Sequence, residues 1–368
     1  MLWQHLNLRF TIDLEIRVGI LTAAKIDFEQ RESTFVLHNV RIGIGFHWDR
    51  REDQEFAGRL EILRNADGSE TAVNVIDLEN YLCSVISSEM SANSPMELLK
   101  AHAVISRSWA IRAIEANKGE RLAVSGERFT YESNGHIGFD VCADDHCQRY
   151  EGLARMNERA VEAVRATEGQ VLMYDNMVCD CRFHKCCGGR TEEFETCWED
   201  IHVLYLESVE CPYCNPIYLK DKTLLRMSLN EYDLETANYH DWEVKYTAAE
   251  LGVIIREKSG IDFGDIIDLI PMKRGKSGRI YEMEVVGTKH RQVIGKELTI
   301  RRWLSKSCLY SSWFDILKSA NHQITLIGHG WGHGVGLCQI GAATMAATGY
   351  TYEQILAHYY PHSVLTRA

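Results

Sequence analysis

The chain has 368 residues, of which hydrophobic types make up 45% and charged types 25%, an ordinary globular balance with room for two domains or one domain with insertions. The net charge of −12 argues against nucleic acid as a partner. No apolar run is long enough to predict a transmembrane helix.

Arg9, Asp13, Glu15 and Arg17 interrupt the opening stretch, so no signal-peptide core is visible there. Residues 1–75 read as a β-rich N-terminal region. Phe10–Ile20, Thr34–Phe46, Phe56–Leu63 and Thr71–Val75 alternate or run β-branched, and Asn65-Ala66-Asp67-Gly68 is a turn signal. The charged run His47–Gln54 is expected to be a solvated loop.

Two helices with a sharp break follow over residues 76–116. Asp77 is a candidate cap for the first, with Leu78, Leu82, Val85 and Ile86 at helical spacing. Ser94, Pro95 and Glu97 read as a capping box opening the second, which is apolar nearly all round. A buried helix that carries Lys100, His102, Arg107 and Arg112 needs partners for its cations. A carboxylate or an anionic ligand is therefore expected beside Lys100 and Arg107. Glu89 lies at the break.

Residues Thr130–Tyr150 read as a loop, Met156–Ala166 as a helix and Thr167–Met173 as a turn and strand. Residues 218–305 read as a mixed α/β inserted subdomain. It holds a strand over Trp242–Tyr246, a helix capped by Thr247 and stopped by Gly260, a hairpin around Gly275–Gly278, and a helix over Lys296–Leu304. Glycine-rich residues 328–341 precede a small-residue helix over Ala342–Ala347. Thr351 caps a last helix that Pro361 stops.

Four features carry chemistry. A carboxylate at a helix break in apolar surroundings has its pKa raised by desolvation, which suits a general acid; a capping or ion-paired Glu89, bound to Lys100 or Arg107, is the plainer alternative. His136, Cys142, His146 and Cys147 offer the donors of a closed tetrahedral zinc site in a loop with little core of its own, with a Cys142–Cys147 disulfide as the other reading. Cys186, Cys187, Cys197, Cys211 and Cys214 offer a second metal or disulfide cluster, Cys211-x2-Cys214 being the usual half of a zinc ribbon. Cys83, Cys308 and Cys338 stand alone and read as core thiols. Finally, His329, Trp331, His333 and Gln339 lie among glycines that forbid a stable helix, which favours a ligand-holding loop over a helical metal pair.

Together these motifs resemble the stage II sporulation protein D family (SpoIID/LytB). The first block is Tyr81-Leu82-x3-Ile86-x2-Glu89-Met90 with Leu98-Leu99-Lys100-Ala101-His102-Ala103-Val104 and Arg107. The second runs from Phe139-Asp140-Val141-Cys142 through His146-Cys147-Gln148 to Phe183-His184 and Gly188-Gly189-Arg190. The third is Gly328-x-Gly330-Trp331-Gly332-His333-Gly334 through Gln339 to His358-Tyr359-Tyr360-Pro361. His102, Cys338 and Cys186-Cys187 depart from the family's usual glutamine, serine and serines, marking a divergent subgroup.

The resemblance implies an α+β protein in which residues 76–368 form a catalytic domain around a helical core, interrupted by the 218–305 insert. It implies a lytic transglycosylase that cleaves MurNAc–GlcNAc linkages of peptidoglycan, with Glu89 as catalytic acid, or else a non-catalytic enhancer of a cell-wall amidase. Lys100, Arg107, His184, His329, Trp331, His333 and Gln339 become candidate substrate contacts. His136, Cys142, His146 and Cys147 become ligands of a structural Zn2+. An extracytoplasmic or cell-envelope location is implied as well.

Overall fold

The computed structural model describes residues 14–46, 48–118, 136–216, 222–234, 240–319 and 323–367. Parts of some expected elements lie outside these: residues 10–13 of the first strand, His47, residues 130–135 of the loop, and residues 218–221 and 235–239 of the insert.

The protein is α+β. β1 (Glu15–Ala23), β2 (Phe28–Gln30), β3 (Thr34–Ile42), β4 (Arg50–Ala57), β5 (Arg59–Arg64) and β6 (Glu70–Asp77) build the N-terminal region. β2-β3-β4 form one sheet. β5-β6-β1 form another, which a later parallel strand β7 (Val141–Cys142) completes. The charged run expected as a loop is largely strand: Arg50 pairs with Ile42 and Gln54 with Leu37. Its alternation turns Gln54 and Phe56 inward and leaves Arg51 and Asp53 exposed, the arrangement of a charged edge strand. Phe56–Leu63 is not one strand. Gly58 turns the corner at φ +86, where a Cβ would meet the Val75 carbonyl oxygen at 2.5 Å.

Helix α1 (Leu78–Glu89) starts directly after β6, with Asp77 accepting from the Asn80 N–H at 3.0 Å. Helix α2 (Met96–Lys118) is buried on two faces by two different cores. Leu99, Ala103, Ala110 and Ile114 pack with the N-terminal sheets and α1. Leu98, Ala101, Val104 and Ile105 pack with the cysteine-rich segment and the C-terminal helices. This division explains why the helix is apolar all round. The capping box expected at its start does not form. Ser94 Oγ donates to the Ser228 carbonyl at 3.4 Å, while Glu97 takes the Lys100 ammonium and the Tyr352 N–H.

A third core gathers Trp242, Phe263, Leu269, Ile300 and Trp303 with Phe314, Ile324 and Leu326. Its sheet pairs Asp241–Thr247 with Gln323–His329 and Phe314–Lys318, so this unit takes in chain beyond residue 305. The hairpin of Ile266–Arg274 and Ile280–Gly287 reaches back out of it. Glu192 accepts from the Lys276 and Ser277 N–H groups, and fully buried Arg279 donates to the Gly332 and Cys187 carbonyls. The Thr247 and Thr351 capping boxes are both formed. After the last helix, Val364–Arg367 pairs with Gln170–Tyr174, a strand that the sequence did not announce.

Candidate active site and cysteine centres

A cleft of ≈ 2310 Å³ is lined by Glu89, the loop around Cys142–Arg149, residues 180–185, and Trp331, His333 and Gln339. Glu89 ends α1, and the chain turns extended at Met90. One carboxylate oxygen accepts the Arg149 N–H at 2.8 Å. Among the described residues, its other oxygen has no hydrogen-bond partner. Burial pushes the Glu89 carboxyl up to about 7. Arg149 opposes that rise, Asp145 adds to it, and Lys185 opposes it.

The cations near Glu89 are thus Arg149 and Lys185, not Lys100 and Arg107. The Lys185 ammonium donates to the Glu89 backbone carbonyl at 3.0 Å and to Asp233 at 2.6 Å. The Arg149 guanidinium pairs with Asp145 at 2.7 Å and Asp233 at 3.5 Å. Burial alone would raise the Asp233 carboxyl, but Lys185 and Arg149 outweigh it and hold the group below its ordinary value. Sequence reasoning missed all three. Arg149 and Lys185 stand inside the second motif block as unremarked neighbours of Gln148 and His184, and no motif marks Asp233.

Arg107 is fully buried and meets the Glu79 carboxylate through two nitrogens, at 2.6 Å each. It also donates to the Gln170 carbonyl at 3.0 Å. Its expected partner exists, but it is a structural carboxylate that locks α1 to α2. Lys100 pairs with Glu97 at 2.7 Å beside the Tyr352 ring. Neither lines the cleft.

The glycine-rich loop supplies the opposite wall. Gly336 (φ +71) lets it approach so closely that a Cβ would meet the Arg182 carbonyl oxygen at 2.0 Å. There Phe183–His184 pairs in parallel with Leu337–Cys338. His184 Nδ1 meets the Val335 carbonyl at 3.1 Å, while its Nε2 is buried without a partner among the described residues. The His333 ring packs against His184 and Trp198. Burial, reinforced by His184 and Arg182, keeps His333 well below the ordinary histidine value, so it is neutral. Gln339 Nε2 lies 2.9 Å from His102 Nε2, and His102 Nδ1 lies 3.1 Å from Ser106 Oγ. Burial pulls His102 down to about 3. A neutral ring that accepts from Gln339 and donates to Ser106 satisfies both contacts. His329 stands apart from His333, with Asp241 at 2.6 Å and His240 nearby.

His136, Cys142, His146 and Cys147 bring four donor atoms within 4.8 Å of one another. His136 Nε2 lies 3.2 Å from Cys147 Sγ, and His146 Nδ1 lies 3.4 Å and 3.9 Å from the two sulfurs. The edges of a tetrahedron with ordinary zinc–sulfur and zinc–nitrogen bonds are about 3.3–3.8 Å, so this donor set fits zinc. β7 carries Cys142 on the N-terminal sheet, and Asp144 fastens the loop to the Gly43 and Ile44 N–H groups.

The second cysteine cluster differs from expectation in membership. Cys187, Cys211, Cys214 and Cys338 converge within 4.8 Å. Cys338, expected alone in the core, joins it because the parallel pairing brings it beside residue 184. Cys186 is buried next to them. Cys197 is not a member: its thiol meets the His333 carbonyl.

The sequence profile of a stage II sporulation protein family, SpoIID, matches residues 66–174, and that of a domain of unknown function, DUF8618, matches residues 192–336. An uncharacterised protein of Brachyspira hyodysenteriae (strain ATCC 49526 / WA1) is 31% identical over 306 residues, covering 83% of this chain and 71% of that protein. Stage II sporulation protein D of Bacillus subtilis (strain 168) is 27% identical over 321 residues, covering 84% of this chain and 79% of that protein. The amidase enhancer of the same organism is 23% identical over 308 residues, 77% of this chain and 40% of that protein. No helix among the described residues is long and apolar enough to cross a membrane.

Proposed function

The chain belongs to the stage II sporulation protein D family, and from that premise we propose that it acts in the bacterial cell envelope as a lytic transglycosylase of peptidoglycan glycan strands. The observation that carries this reading is Glu89: a buried carboxyl at the wall of a large cleft, raised to about 7, with one oxygen held and the other unpartnered among the described residues. Near neutral pH it therefore retains its proton far more than an ordinary carboxyl does, the state a general acid needs.

The reaction balances with this one residue. The Glu89 carboxylic acid gives its proton to the oxygen linking MurNAc C1 to the next GlcNAc, and the C1–O bond breaks. The Glu89 carboxylate then takes the proton of the MurNAc 6-hydroxyl as O6 bonds to C1. The product is a 1,6-anhydro-MurNAc end, and Glu89 is again protonated. Two-carboxylate hydrolases add a second acid to activate water or form a covalent adduct. Here acids do stand nearby, but Asp145 and Asp233 are engaged with Arg149 and Lys185. His184, Trp331, His333 and Gln339 line the cleft as sugar contacts. His136, Cys142, His146 and Cys147 would hold a structural zinc, and that would fix the loop whose Arg149 N–H orients Glu89.

The test is digestion of purified glycan strands followed by mass spectrometry for anhydromuramyl ends. The protein should produce them and Glu89→Gln should not; an active Glu89→Gln refutes the assignment. Similarity to an amidase enhancer favours a second reading, a glycan-binding partner of a cell-wall amidase. That reading requires no new ends and stimulation of the amidase that survives Glu89→Gln.

A further inference from the structure

We propose that Cys187, Cys211, Cys214 and Cys338 form a second, fully thiolate zinc centre, buried behind the cleft. The four sulfurs come from three separate segments, and all four side chains are buried. Cys187 and Cys214 lie 3.4 Å apart at sulfur. That is far longer than the 2.03–2.05 Å of a disulfide, and all twelve cysteines are free. A tetrahedral tetrathiolate zinc site has sulfur–sulfur edges of about 3.8 Å, within the 4.8 Å envelope observed. Multi-iron clusters spread their thiolates over several metals and need a wider cage.

Backbone N–H groups converge on these sulfurs, while Cys214 Sγ and Cys338 Sγ also lie 3.6 Å and 3.9 Å from the Cys211 and Lys185 carbonyls. The Gly189 N–H donates to Cys187 Sγ at 3.4 Å, and the Cys187 and Gly341 N–H groups each donate to Cys338 Sγ at 3.3 Å. The Tyr359 hydroxyl lies 3.1 Å from Cys211 Sγ. Such bonds around thiolate ligands are the usual outer shell of a metal site. Four buried thiolates without a cation would be prohibitively costly; binding Zn2+ displaces the thiol protons and leaves a net charge of −2 on the centre.

The centre would act as a staple. His184 and Lys185 directly precede Cys186-Cys187, and Gln339 directly follows Cys338. Binding one ion would therefore hold two walls of the cleft together.

The test is metal counting on the full chain purified under reducing conditions without chelator. Two zinc ions per chain are expected. Cys338→Ser and Cys147→Ser should each lose one, and Cys197→Ser should keep both. X-ray absorption at the zinc edge of the Cys147→Ser protein should then show four sulfur neighbours, a reading that stands even if Cys338→Ser does not fold. One zinc per wild-type chain, lost in Cys147→Ser, overturns the proposal. So does a Cys187–Cys214 disulfide in peptide mass spectra of protein prepared without reductant.

Discussion

The Arg149 backbone N–H donates to Glu89 Oε1 at 2.8 Å, while the Arg149 side chain is drawn away to Asp145 and Asp233. Arg149 thus orients the carboxylate through a neutral dipole, while Asp145 and Asp233 offset its charge. That division lets burial dominate and keeps the carboxyl near 7. A direct Arg149–Glu89 ion pair would do the opposite and hold Glu89 ionised.

Glu89→Gln should lower glycan cleavage by about 10²–10⁴-fold, the usual contribution of a general acid–base, and should stabilise the protein at alkaline pH. The folded carboxyl binds its proton up to about pH 7, whereas the unfolded one releases it near 4.5. Between those values the folded state holds more protons, so stability falls as pH rises. The shift corresponds to roughly 3 kcal/mol at pH 8. Urea unfolding should show the variant more stable than wild type at pH 8 and no different near pH 4. Equal stability at both pH values would mean that Glu89 is not held protonated by burial.

Asp145→Asn should move the pH–rate profile. Asp145 raises the Glu89 carboxyl and also occupies Arg149. Neutralising it removes a like charge and frees a cation, and both effects favour ionised Glu89. The limb on which activity declines toward high pH should shift down by about 1 unit, lowering the rate at pH 7.5 more than at pH 5.5. An unmoved limb would show that Asp145 does not influence the Glu89 carboxyl.

The helix break that carries Glu89 was legible in the sequence because its signals are local: the Asp77 cap, the apolar spacing and an acid at the turn. The first His–Cys donor set was legible for the same reason, since all four donors fall within twelve residues. What the sequence left unplaced depended on distance. Arg107 was expected to meet an anion, and it does, but Glu79 is supplied by a helix packed across it. Cys338 seemed solitary until the parallel pairing with residues 183–184 carried it to Cys187. Arg279 props the glycine-rich loop from an insert some fifty residues earlier, and nothing in either stretch announces the contact.

Arg107→Met and Lys100→Ala should separate structure from substrate binding. Removing one partner of the fully buried Glu79–Arg107 pair leaves an uncompensated charge and should cost about 3–5 kcal/mol. Lys100 sits in a partly exposed pair with Glu97, worth about 0–1 kcal/mol. Thermal unfolding should register the first change and barely the second. Glycan cleavage by Lys100→Ala should keep the wild-type KM; a raised KM would place Lys100 in substrate contact after all.

His102→Gln should make the fold less sensitive to acid. His102 is fully buried between Gln339 and Ser106, and its folded value of about 3 lies far below the 6.5 of the free side chain. Between those values the unfolded chain takes up a proton that the folded chain refuses. Stability is therefore complete above pH 6.5 and is lost progressively as pH falls toward 3. Glutamine has no proton to gain and can still exchange an amide hydrogen bond with Gln339. Relative to its own stability at pH 7.5, the variant should lose less than wild type when measured at pH 4.5, with a difference of roughly 2–3 kcal/mol in urea unfolding. Parallel losses in the two proteins would mean that His102 is protonated in the fold, and the Gln339 amide would then have to turn its carbonyl toward the ring.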